Sequence, residues 1–210
     1  MAGFSSATYW DTRYRMGGTS GAGSAGHLAR YKAGVLNGLI AANGIASMID
    51  LGCGDASQLA LLRPPPDYIG MDVSPAALAL CAARNPSLRF VAPEHLAMVR
   101  PAELTASLDV LYHLVEDDVF DRAIRTLFGW STRFVAIYAS NADAGFTSPH
   151  VRHRRFTDRV AADWPDWRLR AHLPNPWPYH PARPDDTSFS DFYIYGKTDE
   201  DCVVTVPALV

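Results

Sequence analysis

Short apolar runs alternate with amphipathic stretches along most of the chain, and their order predicts the fold. The pattern begins with a helix over 27–43, where Leu28, Tyr31, Val35, Leu39 and Ile40 share one face. Apolar runs typical of buried strands then recur at 46–51, 68–72, 88–92, 108–111 and 134–139. We therefore expect five strands that alternate with helical segments.

Helix start and stop signals lie between these runs. One helix should follow the first strand and end near residue 63, because three prolines at 64–66 forbid its continuation. Another should begin after Ser74, a favourable N-cap, with Pro75 in its first turn. Apolar residues at helical spacing predict an amphipathic helix over 117–128 and a shorter helix over 157–164.

Two strand-like runs at 167–173 and 189–195 end the pattern with only a loop between them, so they should pair antiparallel. The sequence thus predicts an α/β, Rossmann-like fold: a seven-stranded, mostly parallel sheet with a C-terminal antiparallel hairpin and helices on both faces. Within this one domain we expect a covering arm and helix at 1–45, a core at 46–198 and a tail at 199–210. The glycine-rich stretch 17–26 is either a flexible part of the arm or a loop that closes over a ligand.

Composition narrows the class of protein without naming a function. The chain has 210 residues, 48% of them apolar, which suits one domain with one sizeable core. A net charge of −3 gives no reason to expect a nucleic-acid or membrane partner. The first 20 residues contain no apolar signal-peptide run, and the three cysteines fit no disulfide framework. We expect a reduced, cytoplasmic protein with a small-molecule substrate, either a monomer or a homodimer.

The strongest local signal is the run 49–55, in which Asp50 ends the first strand and Gly52 and Gly54 form a turn. Asp72 ends the next strand, where a carboxylate can accept hydrogen bonds from both hydroxyls of a ribose. A dinucleotide-binding oxidoreductase would place similar residues here. However, Ser57 stands where that motif needs its third glycine, and Asp50 would repel a pyrophosphate while suiting an ammonium group. The pattern favours S-adenosylmethionine, which carries an ammonium and a sulfonium and no phosphate.

The run IDLGCGD, together with Asp72, resembles the first two motifs of class I S-adenosylmethionine-dependent methyltransferases, over roughly residues 46–197. The resemblance implies S-adenosylmethionine as the cofactor and S-adenosylhomocysteine as the product. The aromatic and basic lead at 9–14 is similar to segments that pack over the donor in several branches of the family. Residues expected at the donor are Tyr9, Trp10, Arg13, Asp50, Gly52, Cys53, Gly54, Asp72, Val73, Glu94 (or its neighbour His95) and Tyr112.

The segment 109–117, DVLYHLVED, resembles the part of small-molecule methyltransferases that follows the fourth strand, where the methyl acceptor lies. His113 is the candidate catalytic residue, as a general base, with packing against the cofactor as the alternative. Glu116 and Asp117 are expected to cap the next helix.

A second cluster has the composition of an anion site. His150, His153, Arg154 and Arg155 follow the fifth strand, and Trp177 lies in a stiff, proline-rich loop. These five residues are the candidate substrate contacts, although the charged ones could equally form a solvated surface.

The sequence therefore favours a methyltransferase that acts on a hydroxyl, amine or acidic oxygen of a small metabolite, anionic if the basic cluster contacts it. An NAD-dependent oxidoreductase and a donor-binding protein without catalysis remain the alternatives. No metal is expected.

Overall fold

The computed structural model describes residues 4–205, so the outermost parts of the predicted arm and tail, 1–3 and 206–210, lie outside the described residues. Strands within this range are β1 (Ser47–Leu51), β2 (Asp67–Met71), β3 (Arg89–Val91), β4 (Ala102–Leu108), β5 (Ser131–Ala139), β6 (Gly145–Ser148), β7 (Val151–His153), β8 (Trp167–Leu173) and β9 (Asp191–Lys197). The α-helices in the same range are α1 (Ser6–Arg15), α2 (Gly26–Ala42), α3 (Pro75–Arg84), α4 (Asp117–Gly129) and α5 (Phe156–Asp163).

The main sheet, counted over residues 4–205, has seven strands in the order β3-β2-β1-β4-β5-β9-β8. Strands β1 to β5 are parallel, whereas β9 runs antiparallel to both β5 and β8. The predicted fold class and the antiparallel pairing of the last two strands of the sheet are confirmed. Consecutive residues of a strand face opposite sides, so Met48 packs with the α2 side of the sheet and Ile49 with the α4 and α5 side.

Two predicted elements are wrong. The helix expected up to residue 63 is only a short 3-10 helix, Ser57–Ala60, after which the chain returns to β2. The strand expected over 108–111 lies earlier, as β4, and residues Leu111–His113 form a 3-10 turn. Polar residues interrupt the apolar pattern of β4, so the sequence does not show this strand as an apolar run. The buried Thr105, for example, donates its hydroxyl proton to the Leu127 carbonyl at 2.7 Å.

The sequence pattern also missed α1 and the small β6–β7 hairpin. The two hairpin strands have only four and three residues, and β7 includes His153 of the basic cluster. The predicted helix after Ser74 is present, with the Ser74 side chain accepting a hydrogen bond from the Ala77 N–H and Pro75 in the first turn. These elements place the open ends of β1, β2 and β4 beneath α1.

Candidate active site

A cavity of about 660 Å³ opens at the carboxyl ends of β1, β2 and β4. Helix α1 lies along one side of it, contributing Ala7, Trp10 and Tyr14. Nine of the residues predicted from the sequence line it: Trp10, Asp50, Gly52, Cys53, Gly54, Asp72, Val73, Glu94 and His113. Elements remote in sequence therefore converge on one site.

The glycine turn forms the floor of this cavity, and its backbone N–H groups are already bonded. The N–H groups of Gly52 and Cys53 both donate to the Met71 carbonyl, at 2.7 and 3.1 Å. The Gly54 N–H donates to Asp72 Oδ2 at 3.0 Å. Gly52 and Gly54 have φ of 80° and 60°, and a Cβ on Gly52 would lie 2.4 Å from a Val110 methyl group. Both the conformation and this close approach require glycine.

Two buried carboxylates flank the turn. Asp72 also accepts the Ser74 N–H at 2.9 Å, and burial raises its pKa. Asp50 accepts the Tyr68 hydroxyl at 2.9 Å, and burial raises its pKa to about 6. A carboxylate has about four lone-pair directions, so each retains acceptor capacity toward the cavity. The arrangement favours a ligand with hydroxyl donors and a positive charge.

A buried ion pair, absent from the sequence prediction, also lines the cavity. Lys32 of α2 is 1% exposed, and its Nζ lies 2.7 Å from Asp109 Oδ2. Asp109 accepts the Ser190 hydroxyl through its other oxygen at 2.8 Å and has the left-handed φ of 60°, which is rare outside glycine. The sequence signal that could have revealed Lys32 is its spacing. It lies four residues after Leu28 and three before Val35, on the apolar face of the helix.

Helix α1 is held over the cavity at its start and in its middle. At its start, the Ser6 N–H and hydroxyl contact the Glu116 carboxylate, and the hydroxyl also lies 2.8 Å from the His113 carbonyl oxygen. Further along, Asp11 Oδ1 accepts the Ser74 hydroxyl at 2.9 Å and the Ala76 N–H at 3.2 Å. Side-chain bonds thus join α1 to the segment after β4 and to the start of α3.

The glycine-rich stretch packs on the glycine turn, as a closing loop would. The Tyr14 hydroxyl donates to Ser20, whose own hydroxyl donates to Asp55 Oδ1 at 2.7 Å. The Thr19 carbonyl accepts from Arg13 Nε at 2.7 Å. A Cβ on Gly54 would lie 2.5 Å from Ser20 Oγ, so this packing also depends on glycine in the turn.

His113 sits at the cavity wall in one defined tautomer. Its Nδ1 lies 3.0 Å from the His150 carbonyl oxygen, which can only accept, so Nδ1 carries the proton and Nε2 keeps its lone pair. Burial lowers the pKa of His113 to about 4. The ring packs edge-on against Trp10 and parallel to His150, with centroids 4.8 and 5.6 Å apart.

Glu116 and Asp117, expected as helix caps, hold neighbouring groups. Glu116 is the N-cap residue of α4, but its side chain makes no capping hydrogen bond and instead binds Ser6 of α1. Asp117 is the first residue of α4 and pairs with both Arg152 and Arg154. Hydrogen bonds from the groups they hold lower the pKa of both carboxyls.

The basic cluster lies on the hairpin outside the cavity-lining set. Arg154 donates to the carbonyls of Leu114 and Val115, at 2.8 and 2.7 Å, and pairs with Asp117 at 3.1 Å. His153 Nδ1 lies 2.7 Å from Ser140 Oγ, and Arg155 is an exposed residue 3.9 Å from Asp158. These contacts tie the hairpin to the segment after β4.

The other predicted contacts are packed against their neighbours. Tyr9 stacks on His150 with ring centroids 4.7 Å apart, and the Arg13 guanidinium lies 5.6 Å from the Trp10 ring. Tyr112 is buried beneath Phe189. Trp177 packs edge-on against His27 and Tyr31 of α2. None of these lines the cavity except Trp10.

Residues 4–205 contain neither a metal-binding cluster nor a membrane-spanning helix. No three His, Cys, Asp or Glu side chains there are placed to hold a metal ion. No helix in that range is both long enough and apolar enough to span a membrane.

Comparison with known proteins identifies the fold. No family model and no curated protein matches this sequence. Among solved structures, the N-methyltransferase NodS from Bradyrhizobium japonicum WM9, in complex with S-adenosyl-L-homocysteine, is 12% identical, with 92% of this chain and 99% of that chain covered and a TM-score of 0.66. Magnesium protoporphyrin IX methyltransferase from Synechocystis PCC 6803, with S-adenosylmethionine bound, is 13% identical, with 94% and 100% covered and a TM-score of 0.64.

An S-adenosylmethionine-dependent methyltransferase from Clostridium acetobutylicum ATCC 824 is 12% identical, with 80% of this chain and 92% of that chain covered and a TM-score of 0.59. Similarity at this level of identity establishes the fold: the chain has the architecture of these methyltransferases over nearly its whole described length. The donors and substrates in those names belong to those proteins.

Proposed function

We propose that this protein is an S-adenosylmethionine-dependent methyltransferase that acts on a small-molecule acceptor. The observation that carries the proposal is the glycine turn, whose N–H groups are already bonded and which two buried carboxylates flank. The fold, shared with methyltransferases that were crystallised with the donor or its product, supports the same assignment.

The same turn argues against a dinucleotide cofactor. A pyrophosphate needs free backbone N–H groups at the start of an α-helix. Here the N–H groups of Asp55 and Ser57 are bonded as well, to Ser20 and to the Asp55 side chain. The helix that follows is a single 3-10 turn, Ser57–Ala60, too short to offer an N-terminal anion site.

The donor chemistry fits the residues that are present. When bound, the donor supplies a methyl group activated by a positively charged sulfur. Asp50 faces the place where an amino group would balance its negative charge, and Asp72 offers free lone pairs to two ribose hydroxyls. The residues that complete the proposed donor surface are Trp10, Gly52, Cys53, Gly54, Val73 and Glu94. Tyr9 and Arg13 pack against Trp10, and Tyr112 packs against His113.

For the acceptor we propose the cavity end near His113. Methyl transfer needs a nucleophile aligned with the carbon–sulfur bond and, for a neutral acceptor, a group that takes its proton. His113 keeps an unprotonated Nε2 at neutral pH, because its pKa is lowered to about 4 and Nδ1 is bonded to a carbonyl. The basic segment 150–155 adjoins this end through the His150 carbonyl, and its charged side chains are the proposed contacts for an anionic substrate.

The test is a parallel calorimetric titration with S-adenosylmethionine, S-adenosylhomocysteine and NADH. We expect the first two to bind and NADH to show no heat above dilution; binding of NADH alone would refute the proposal. Transfer of a labelled methyl group to a panel of small hydroxyl, carboxylate and amine compounds then separates an enzyme from a donor-binding protein. His113→Ala should lower turnover in that assay while donor affinity stays within about threefold, less than one lost hydrogen bond.

A further inference from the structure

The Lys32–Asp109 pair is the feature of the cavity that donor binding leaves unexplained. Lysine residues are rarely buried to this degree, and a buried ion pair is a weak source of stability because desolvation offsets the attraction. Lys32 nevertheless reaches from α2 to the carboxyl end of β4. Asp109 receives it in a backbone conformation that costs energy for a residue other than glycine.

The Lys32 ammonium retains unused hydrogen-bond donors. It carries three N–H groups, and its hydrogen bond within the described part of the chain is the one to Asp109. The face of the Tyr138 ring lies 5.5 Å away, and the side chain lines the cavity. A buried cation that lines a cavity and has unused donors can bind a ligand atom that accepts them.

The Lys32–Asp109 pair lies on the side of the cavity where we propose that the acceptor binds. Asp109 begins the segment that carries His113, and in open α/β sheets ligands meet the protein at such strand ends. Gly23 of the glycine-rich loop covers the pair, since a Cβ there would lie 2.9 Å from Asp109 Oδ2. An ammonium attracts an oxygen that carries negative charge and repels a protonated amine.

We propose that Lys32, held by Asp109, binds the acceptor's oxygen and selects an oxygen nucleophile, either a carboxylate or an acidic hydroxyl, over an amine. This inference rests on the proposed methyltransferase function. The acceptor oxygen bonds to the methyl carbon as the carbon–sulfur bond breaks, and the bonding pair stays on sulfur, leaving a neutral thioether. A carboxylate has no proton to lose, whereas the proton of a hydroxyl passes to Nε2 of His113.

The weak basicity of His113 agrees with this assignment. Burial lowers the pKa of His113 to about 4, and a base this weak suits an acceptor oxygen that is already anionic or is made acidic by Lys32.

The test measures binding of probe molecules to the protein saturated with S-adenosylhomocysteine. The probes are benzoate, 4-nitrophenol (largely anionic at pH 8) and benzylamine. We expect saturable binding of the two anions and at least about tenfold weaker binding of benzylamine. In Lys32→Met, the anions should bind at least about tenfold more weakly. Arg30→Met, an exposed change of equal charge on the same helix, should leave all three affinities unchanged.

Removing Lys32 alone leaves Asp109 buried without its partner, so the double variant Lys32→Met/Asp109→Asn provides a charge-balanced version. Affinity for S-adenosylhomocysteine, compared with that for methylthioadenosine, which lacks the amino acid, identifies what Lys32 contacts. If Lys32→Met weakens the first and spares the second, Lys32 binds the donor's carboxylate and the proposal is overturned. Equal binding of benzylamine and benzoate, or no anion binding at all, overturns it too. Failure of the wild type to bind S-adenosylhomocysteine would instead refute the proposed function.

Discussion

Lys32 and Arg154 are two partly or fully buried cations held by the segment after β4, yet they lie on opposite sides of it. Arg154 uses its guanidinium on two main-chain carbonyls and on Asp117, and it also covers the Phe120 ring. Lys32 has one hydrogen-bond partner among residues 4–205 and lines the cavity. The planar guanidinium of Arg154 forms several hydrogen bonds that stabilise the fold, whereas the ammonium of Lys32 keeps N–H donors that can bind a ligand. Basic composition alone does not distinguish these two uses.

The largest expected effect comes from a change at the proposed donor site, with which the effects of changing Lys32 and Arg154 can be compared. Asp72→Ala should weaken S-adenosylhomocysteine binding on the order of 100-fold, because two hydrogen bonds to a charged group are lost. Asp67→Ala, an exposed change on the same strand, is the matched control. Calorimetric titration measures both variants, and unchanged affinity in Asp72→Ala would remove this aspartate from the donor site.

The variant Arg154→Met tests whether Arg154 stabilises the fold rather than binding substrate. Its loss leaves the Leu114 carbonyl without its side-chain donor and the Val115 carbonyl with Arg152 alone, so the free energy of unfolding should fall by about 2 kcal/mol. Arg155→Met removes an exposed charge whose ion pair is long, and it should cost about 0.5 kcal/mol or less. Urea unfolding compares them. A stable Arg154→Met protein that loses acceptor affinity would return this residue to substrate binding.

The pH dependence of donor binding tests the role of the Asp50 carboxylate rather than that of the two cations. The pKa of Asp50 is raised to about 6 from 3.8, so in the free protein its ionisation lowers stability progressively as pH rises from about 4 to about 6. A donor ammonium reverses this cost. S-adenosylhomocysteine should therefore bind about tenfold more weakly at pH 5 than at pH 7.5. In Asp50→Asn the affinity should be flat over this range; an unchanged slope would assign the titration to another group.

The smallest effect concerns the attachment of α1 to the segment that both cations hold. Ser6→Ala removes one buried hydroxyl, which contacts His113, Val115 and Glu116, and should lower the free energy of unfolding by about 1 kcal/mol. Amide exchange in α1 should accelerate, while Thr8→Ala on the exposed face should leave it unchanged. Equal exchange in the two variants would show that Ser6 does not fasten the helix.

Much of the fold was predictable because the apolar runs of β1, β2, β5 and β9 and the amphipathic face of α4 are strong, local signals. The glycine turn with Asp72 was predictable as a site for the same reason: each residue lies at a fixed offset from a strand end. β4 was misplaced because Glu103 and Thr105 interrupt its apolar pattern, and their partners lie 57 and 22 residues away in sequence.

The acceptor side was less accessible to sequence reasoning because it depends on contacts between distant segments. Lys32 and Asp109 are 77 residues apart, and His113 takes its tautomer from a carbonyl 37 residues later. A cluster of neighbouring basic residues drew attention to the hairpin, although tertiary contacts at Asp117 and the segment after β4 use most of that charge. A single lysine on an apolar helix face was a less conspicuous sequence signal than the basic cluster, but it was more informative about the proposed acceptor site.

The attachment of α1 has a kinetic consequence. The start of the helix is joined to the segment that carries His113, and its middle to the start of α3 beside Asp72. Opening it therefore disturbs the acceptor side and the ribose side in one event. We expect substrates to add in a fixed sequence, donor before acceptor, with release of the spent donor limiting turnover. Such an enzyme would show a burst of methylated product in its first cycle, followed by a slower steady state.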